Sequence, residues 1–329
     1  MSIRHLLPIP LVMLALAPMA YAQTPTTPTT PITPPPEPAA GKATLGVGGG
    51  LATKKTRYFA PSQEVVVRGV VKPHVPGEVL TLYAIRRGKA SKQVRRRVGN
   101  RGRYEFRFKV GNPGPVRLVV KHKASAVQKA FRTRDETIQV VSWNAGQGAR
   151  GTKVTLLQRG LAKLGFATPV TGYFDSLTAN AVNAFRKTNG LGRDGYAIGS
   201  VYAMVMRGQG AFALRYPRSG THGKHVEFDW SRQVLVLADH GKPYRVYHVS
   251  SGKPSTPTVF GSYSFYSKQP GTNSHGMVYS SYFIGGYAIH GYADVPNYAA
   301  SHGCLRVPIP NAVSIYNWID LGDPIYTYE

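Results

Sequence analysis

The hydrophobic period of this chain changes twice, and that limits what it can fold into. From about Leu45 to Val141, apolar residues recur at every second position in short β-branched and aromatic runs such as EVVVRGVV, RGRYEFRFKV and PVRLVVKHKA. From 151 to 208 they recur at helical spacing, and from Lys224 to Glu329 the strand pattern returns. Period two marks a half-buried strand, and a period near 3.6 marks an amphipathic helix. One layer cannot satisfy both, so the sequence predicts a multidomain, mainly β chain with a small helical segment between two β-rich ones. Its 329 residues suffice for two or three domains of roughly 100–200 residues each.

In the first β segment, PHVPGE, NRG and GNPG punctuate the runs, as turns do between antiparallel strands. The expectation for 45–141 is an immunoglobulin-like β-sandwich. In RYEFRFKV, Arg103, Glu105, Arg107 and Lys109 alternate with Tyr104, Phe106, Phe108 and Val110, giving one charged and one apolar face. The chain holds 41 Lys+Arg against 15 Asp+Glu, a formal charge of +26. This excess is concentrated between residues 41 and 141, with 23 basic and five acidic residues, whereas the segment from Arg218 onward is nearly balanced at eight and seven. Such a surface suits an anionic wall polymer or a phospholipid surface, or is simply a solvated face. No nucleic-acid recognition motif accompanies it.

In GTKVTLLQRGLAKLGF, Val154, Leu157, Leu161 and Leu164 form one stripe of a helix that Gly165 ends. A second helix, capped by Asp175 or Ser176, turns Ala181, Val182 and Phe185 inward and closes at Gly190. A third runs from Gly199 to Met206. In the last segment, VLVLADHGKPYRVYHV predicts a hairpin turning at Asp239-His240-Gly241.

The N-terminus has the form of a secretory signal. Arg4 and His5 precede the apolar run LLPIPLVMLALAPMA, and Ala20-Tyr21-Ala22 fits the cleavage rule, with residues 1–22 removed; an uncleaved anchor is the alternative. A Thr/Pro-rich linker follows over 23–44, extended by its prolines. The expected location is therefore extracytoplasmic, in periplasm or wall. Cys304 is the only cysteine, so in an oxidising compartment it has no internal disulfide partner and stands out as a reactive thiol.

The neighbours of Cys304 favour nucleophilic chemistry. His290 and His302 are candidate bases, and a base or a lowered pKa is what makes a thiol attack. The backbone N–H of Cys304 and those of its neighbours could form an oxyanion hole, each donor worth about 3 kcal/mol. Arg306 is a fixed cation able to grip a carboxylate. A zinc site from Cys304, His290 and His302 would lack a fourth ligand and matches no standard spacing.

The pair His290-Gly291 and Ser301-His302-Gly303-Cys304-Leu305-Arg306, with VSSGKPSTPTVFGSYSF upstream, resembles the catalytic domain of the YkuD-type L,D-transpeptidases over 218–329. VTLLQRGLAKLGF and TGYFDSLTANAVNAFRKTNGL resemble the three-helix peptidoglycan-binding domain over 148–210, departing from it in FD for the usual FG and in Arg186 for glutamine. Within the catalytic resemblance, Val259-Phe260 stands where many members have proline.

The resemblance implies an exported enzyme forming 3→3 peptidoglycan cross-links. Cys304 is then the acylated nucleophile, His290 its base held by a backbone carbonyl near Gly291, and His302 a support. Gly303 and Cys304 supply the oxyanion hole. Arg306, Ser301, Gly291, Tyr282 and Tyr287 meet substrate, with Tyr292 and Tyr298 along the groove. No metal or organic cofactor is required; the partners are stem peptides and glycan, and carbapenems are the expected inhibitors. Hydrolysis by an L,D-carboxypeptidase, protein-to-wall attachment through the same thioester, and a wall-binding scaffold without activity are the alternatives.

Overall fold

The computed structural model describes residues 36–217 and 223–329. The signal segment and most of the Thr/Pro tract lie outside them. Among the described residues no helix is long and apolar enough to cross a membrane.

The chain is mainly β. Its first part contains β1 (Lys42–Ala43), β2 (Gly46–Gly48), β3 (Leu51–Ala52), β4 (Arg57–Phe59), β5 (Glu64–Lys72), β6 (Val79–Arg86), β7 (Lys89–Arg97), β8 (Arg103–Lys109), β9 (Gly114–His122), β10 (Phe131–Arg132) and β11 (Glu136–Val140). They form two sheets, one of order β1-β5-β2 with β8 on β5, the other of order β3-β4-β11-β9-β6-β7 with β10 on β9. Alternation explains the sandwich: Tyr104, Phe106 and Phe108 of β8 are buried while Arg103, Glu105, Arg107 and Lys109 face solvent. Phe106 packs with Val65, Val67, Leu80, Leu82, Leu118, Val120 and Ile138 in one core. The pairing of Lys42–Ala43 with Val71–Lys72 starts this sheet inside the stretch that composition assigns to the linker.

Three helices follow: α1 (Thr152–Lys163), α2 (Ser176–Thr188) and α3 (Gly199–Arg207). The Asp175 side chain caps α2 by accepting from the Thr178 N–H at 2.8 Å. Val154, Leu157, Leu161, Ala181, Val182 and Phe185 are buried together. Gly160 lets α1 approach α3 closely, because a Cβ there would sit 2.3 Å from a Val205 methyl.

The last part holds β12 (Lys224–Asp229), β13 (Val234–Asp239), β14 (Lys242–His248), β15 (Gly261–Ser264), β16 (Ser267–Thr272), β17 (Val278–Ile284), β18 (Tyr287–Tyr292), β19 (Leu305–Pro308), α4 (Ile309–Trp318) and β20 (Pro324–Tyr328). One sheet has the order β14-β13-β12-β20-β15 and the other β16-β17-β18-β19. The β13–β14 hairpin turns where the sequence places it. His240 and Gly241 both have positive φ, 45° and 72°, as a two-residue hairpin turn matched to strand twist requires.

β13 joins two cores. Val234 and Val236 belong to the helical core, and Leu235 and Leu237 to that of the last segment. Since successive side chains of a strand point to opposite faces, VLVL is buried on both sides. The exit of α1 extends this contact: Val246 N–H donates to Gly165 O at 2.8 Å, and Ala167 N–H to Val246 O at 3.1 Å. The helices are thus packed against the C-terminal sheet.

Candidate active site

Two parallel strands position the residues singled out near the C-terminus. β18 and β19 pair with His290 opposite Arg306, Ile289 opposite Leu305 and Gly291 opposite Val307. Alternation sends Ile289, Leu305 and Val307 into the core and His290 and Arg306 to the other face. Cys304, two residues before Arg306, comes to the same side. These residues line a cavity of about 390 Å³ with Ser301, His302 and Tyr292, and with His275, Met277 and Gly286.

His290 is 3% exposed. Its Nδ1 lies 2.9 Å from Gly291 O. A carbonyl can only accept, so Nδ1 carries the proton and Nε2 keeps a free lone pair. Burial pushes the His290 pKa down, and the Arg306 charge adds to this, while the bond to Gly291 opposes it. Burial likewise pushes the Cys304 thiol up, against a backbone bond at Ala288 and the Arg306 cation. The thiol donates to Gly286 O at 3.6 Å. Both shifts favour the neutral thiol and the neutral imidazole over a thiolate–imidazolium pair. Arg306 lies 4.1 Å from the centre of the Tyr292 ring, which also meets His290 edge-on.

The turn bearing Cys304 is pinned internally. The Ser301 hydroxyl donates to Cys304 O at 2.6 Å and accepts from Gly303 N–H at 3.1 Å. Gly303 has φ +119°, and a Cβ there would lie 1.8 Å from the Tyr287 ring, so only glycine fits. It is also pinned from outside by the stretch VSSGKPSTPT. Ser250 and Arg306 exchange backbone hydrogen bonds, and Lys253 N–H donates to Ser301 O at 2.9 Å. Thr256 Oγ1 donates to Ser301 O at 3.1 Å and Thr258 Oγ1 to Gly303 O at 2.7 Å.

Several expectations change here. Gly303 N–H is not presented as a free oxyanion donor, because the buried Ser301 hydroxyl already takes it. Ser301, 1% exposed, holds the turn with its side chain. Gly291 faces α4 instead of the cavity: a Cβ on it would meet Ala312 Cβ at 2.8 Å. Tyr287 does not line the cavity; it lies behind Gly303. The Tyr282 hydroxyl turns to Gln269 Oε1 at 3.0 Å, outside the cavity, and Tyr298 is 65% exposed. His302 is exposed at the cavity rim. His275 and Met277 reach the cavity from the β16–β17 loop; the one sequence signal for them is that Ser274-His275-Gly276 repeats the Ser-His-Gly of 301–303. Among the described residues no three His, Cys, Asp or Glu side chains converge as a metal site.

Comparison with known proteins bears on this geometry. A family model for the L,D-transpeptidase catalytic domain matches residues 223–327, and one for a putative peptidoglycan binding domain matches 150–197. A crystal structure of an L,D-transpeptidase from Xylanimonas cellulosilytica is 30% identical, covering 57% of this chain and 98% of that one with a TM-score of 0.52. The chain belongs to the L,D-transpeptidase family. An L,D-transpeptidase from Stackebrandtia nassauensis is 20% identical over 57% of this chain and 96% of that one, with a TM-score of 0.36. The catalytic domain of an E. faecium L,D-transpeptidase acylated by ertapenem is 24% identical over 33% and 98%, with a TM-score of 0.29. A search of curated proteins gives no match. This L,D-transpeptidase thus combines its catalytic domain with a peptidoglycan-binding one, the parts of a cell-wall transpeptidase.

Proposed function

We propose that this L,D-transpeptidase forms 3→3 cross-links between peptidoglycan stems by acyl transfer through Cys304. The observation that carries the proposal is the 2.9 Å contact of His290 Nδ1 with Gly291 O. With Nδ1–H given to Gly291 O, Nε2 is the atom free to take the thiol proton in the cavity that both residues line.

The steps balance. Cys304 Sγ gives its proton to His290 Nε2 and attacks the carbonyl carbon of the third residue of a tetrapeptide stem. The oxyanion that forms is met by the Cys304 N–H. The C–N bond to the terminal D-Ala breaks, and the imidazolium returns its proton to the leaving amine. A thioester remains. The amine of a second stem attacks it, passing a proton through His290 to the departing sulfur, and an amide cross-link results. Arg306, two residues from the nucleophile and braced on Tyr292, is placed to hold a stem carboxylate. His302, at the rim, supports the site from the solvent side.

The residue pattern at 4–22 supports export, and a wall substrate requires it. The basic sandwich then faces anionic wall polymers or a membrane surface. A carbapenem, with its strained acylating carbonyl, is expected to add its mass at Cys304.

The test is Cys304→Ala assayed on purified muropeptides with mass spectrometry of the products. We expect no cross-linked dimer; dimer formation at the parent rate would overturn the mechanism. In the parent, release of D-Ala with tripeptide and no dimer would assign water as acceptor instead.

A further inference from the structure

Between α2 and the catalytic sheet lies a buried polar cluster that the acyl transfer does not use. Lys187, on the last turn of α2, is 3% exposed. Its side-chain nitrogen contacts His248 Nδ1 at 2.7 Å, Gln233 O at 3.2 Å and Val249 O at 3.2 Å. Burial pushes its pKa down to about 6, but three acceptors around one nitrogen call for three N–H donors, which only the protonated form supplies. The other nitrogen of His248 donates to Val295 O at 2.9 Å. Burial, reinforced by Lys187, pushes the His248 pKa down to about 3, so the ring is neutral and can accept on one side while donating on the other.

Val295 belongs to the irregular stretch 293–300 that runs directly into Ser301 and the turn bearing Cys304. The same stretch is held again two residues on. Asn183, one turn before Lys187 on the same face of α2, donates to the Asn297 side chain. Arg193, just beyond α2, donates to Asn297 O at 3.1 Å and to Ser231 O at 2.6 Å, and Asn297 Nδ2 donates back to Arg193 O at 3.0 Å. Near its end, Ala300 and Ser301 N–H both donate to Ser251 O at 2.8 Å, and Ser251 is bonded through its N–H and hydroxyl to Gln233, itself a contact of Lys187 through its carbonyl.

A loop without regular pairing needs partners for its backbone groups. Here Val295 O, Tyr298 O and Ala300 N–H find them in His248, Ser250 and Ser251 of the catalytic domain, while the helical module holds Asn297 directly and Val295 through the Lys187–His248 contact. We infer that α2 and the residue beyond it, through Asn183, Lys187 and Arg193, position the 293–300 loop and with it the Cys304 turn. The peptidoglycan-binding module is then a wall of the catalytic unit as well as a device for holding glycan. Asn183, Lys187 and Arg193 are positioning residues: they act through Val295 and Asn297 and touch no reacting atom. The effect on turnover rests on Cys304 being the nucleophile; the effect on the loop does not.

The experiment uses the full chain with Arg193→Ala, an exposed change that leaves every core intact, and Lys187→Met, which removes the buried donors. Backbone hydrogen exchange is followed over 293–304 and over β12–β14. The alkylation rate of the single thiol is followed against pH, and kcat and KM are measured separately. In Arg193→Ala we expect exchange over 293–304 to quicken about 10-fold with β12–β14 unchanged. We expect kcat to fall about 10-fold at nearly constant KM, because misplacing a nucleophile by a fraction of an ångström costs rate before affinity. Lys187→Met should shift the alkylation profile toward that of a free thiol. Exchange and alkylation equal to the parent in both variants would overturn the inference, as would a loss of activity that only follows the folded fraction. Faster loop exchange with alkylation and kcat both unaltered would confine the brace to the loop and overturn its reach to the Cys304 turn; altered alkylation with kcat unaltered, together with an active Cys304→Ala variant, would count instead against Cys304 as nucleophile.

Discussion

At the scale of single residues, the proposed chemistry depends on which groups are neutral at rest. Cys304 is pushed up from an ordinary 9.0 and His290 down from 6.5, each chiefly by burial. A lowered pKa means the imidazole gives up its proton more readily, so its base form survives to more acid pH. The acid limb of kcat/KM should therefore fall below pH 6.5, with activity lost as pH drops through the His290 pKa. A thiolate–imidazolium pair would do the reverse, because each ion would stabilise the other and raise the histidine. A pH–rate profile with its acid limb above 6.5 would contradict the neutral pair. Sequence placed Cys304, His290, His302 and Arg306 in one site, and they line one cavity. It misplaced Gly291 and Tyr282 because adjacency in the chain does not say which way a strand residue points until the pairing is known. It passed over His275 because nothing local brings 275 to 304.

At the scale of elements, the stretch VSSGKPSTPT illustrates how a motif acquires a physical meaning. In sequence it carries part of the family resemblance and no physical role. In the fold it cradles the nucleophile turn, with Thr258 accepting from Gly252 N–H at 3.0 Å and donating to Gly303 O at 2.7 Å. Thr258 is 3% exposed, so its hydroxyl has no solvent to fall back on. Thr258→Val keeps the shape and strands two backbone groups, which should cost about 1–3 kcal/mol in stability. Chemical denaturation should register that loss, and acyl transfer by the folded fraction should drop about 10-fold as the turn loosens. An unchanged midpoint and rate would mean the cradle is incidental. Elements with a strong period were legible: the α1 stripe, the α2 cap, the β8 alternation and the Asp239–Gly241 turn. β7 was not, since KASKQVRRR is exposed along nearly its whole length and carries no apolar face to betray a strand. The parallel partnership of β12 with β20 was hidden as well, because it joins the two ends of the last segment.

For the whole molecule, the division of charge matters most. Some cations of the sandwich are paired: Arg68 and Arg107 bond Glu105, Arg107 also bonds Glu64, and Arg117 and Arg132 share Asp135. β7 gathers unpaired ones in a row. It is the edge of its sheet, and Lys89, Lys92, Arg95, Arg96 and Arg97 form no ion pair among the described residues. An edge strand carrying cations is protected from pairing with another sheet. The same row of unpaired charge presents a field to an anionic polymer. Those two uses separate by salt. Screening shortens the reach of exposed charges from about 10 Å at 0.1 M to about 3 Å at 1 M. If the edge serves attraction, the full chain should sediment with insoluble peptidoglycan at low ionic strength and be released progressively as salt rises. Replacing Arg95, Arg96 and Arg97 together by Gln should lower the retained fraction at low salt and flatten its salt dependence, with the melting temperature nearly unchanged because these side chains are solvent-exposed. Retention that is equally strong in 1 M salt, or equal in the triple variant, would leave β7 with its protective use alone and assign wall affinity to the helical module.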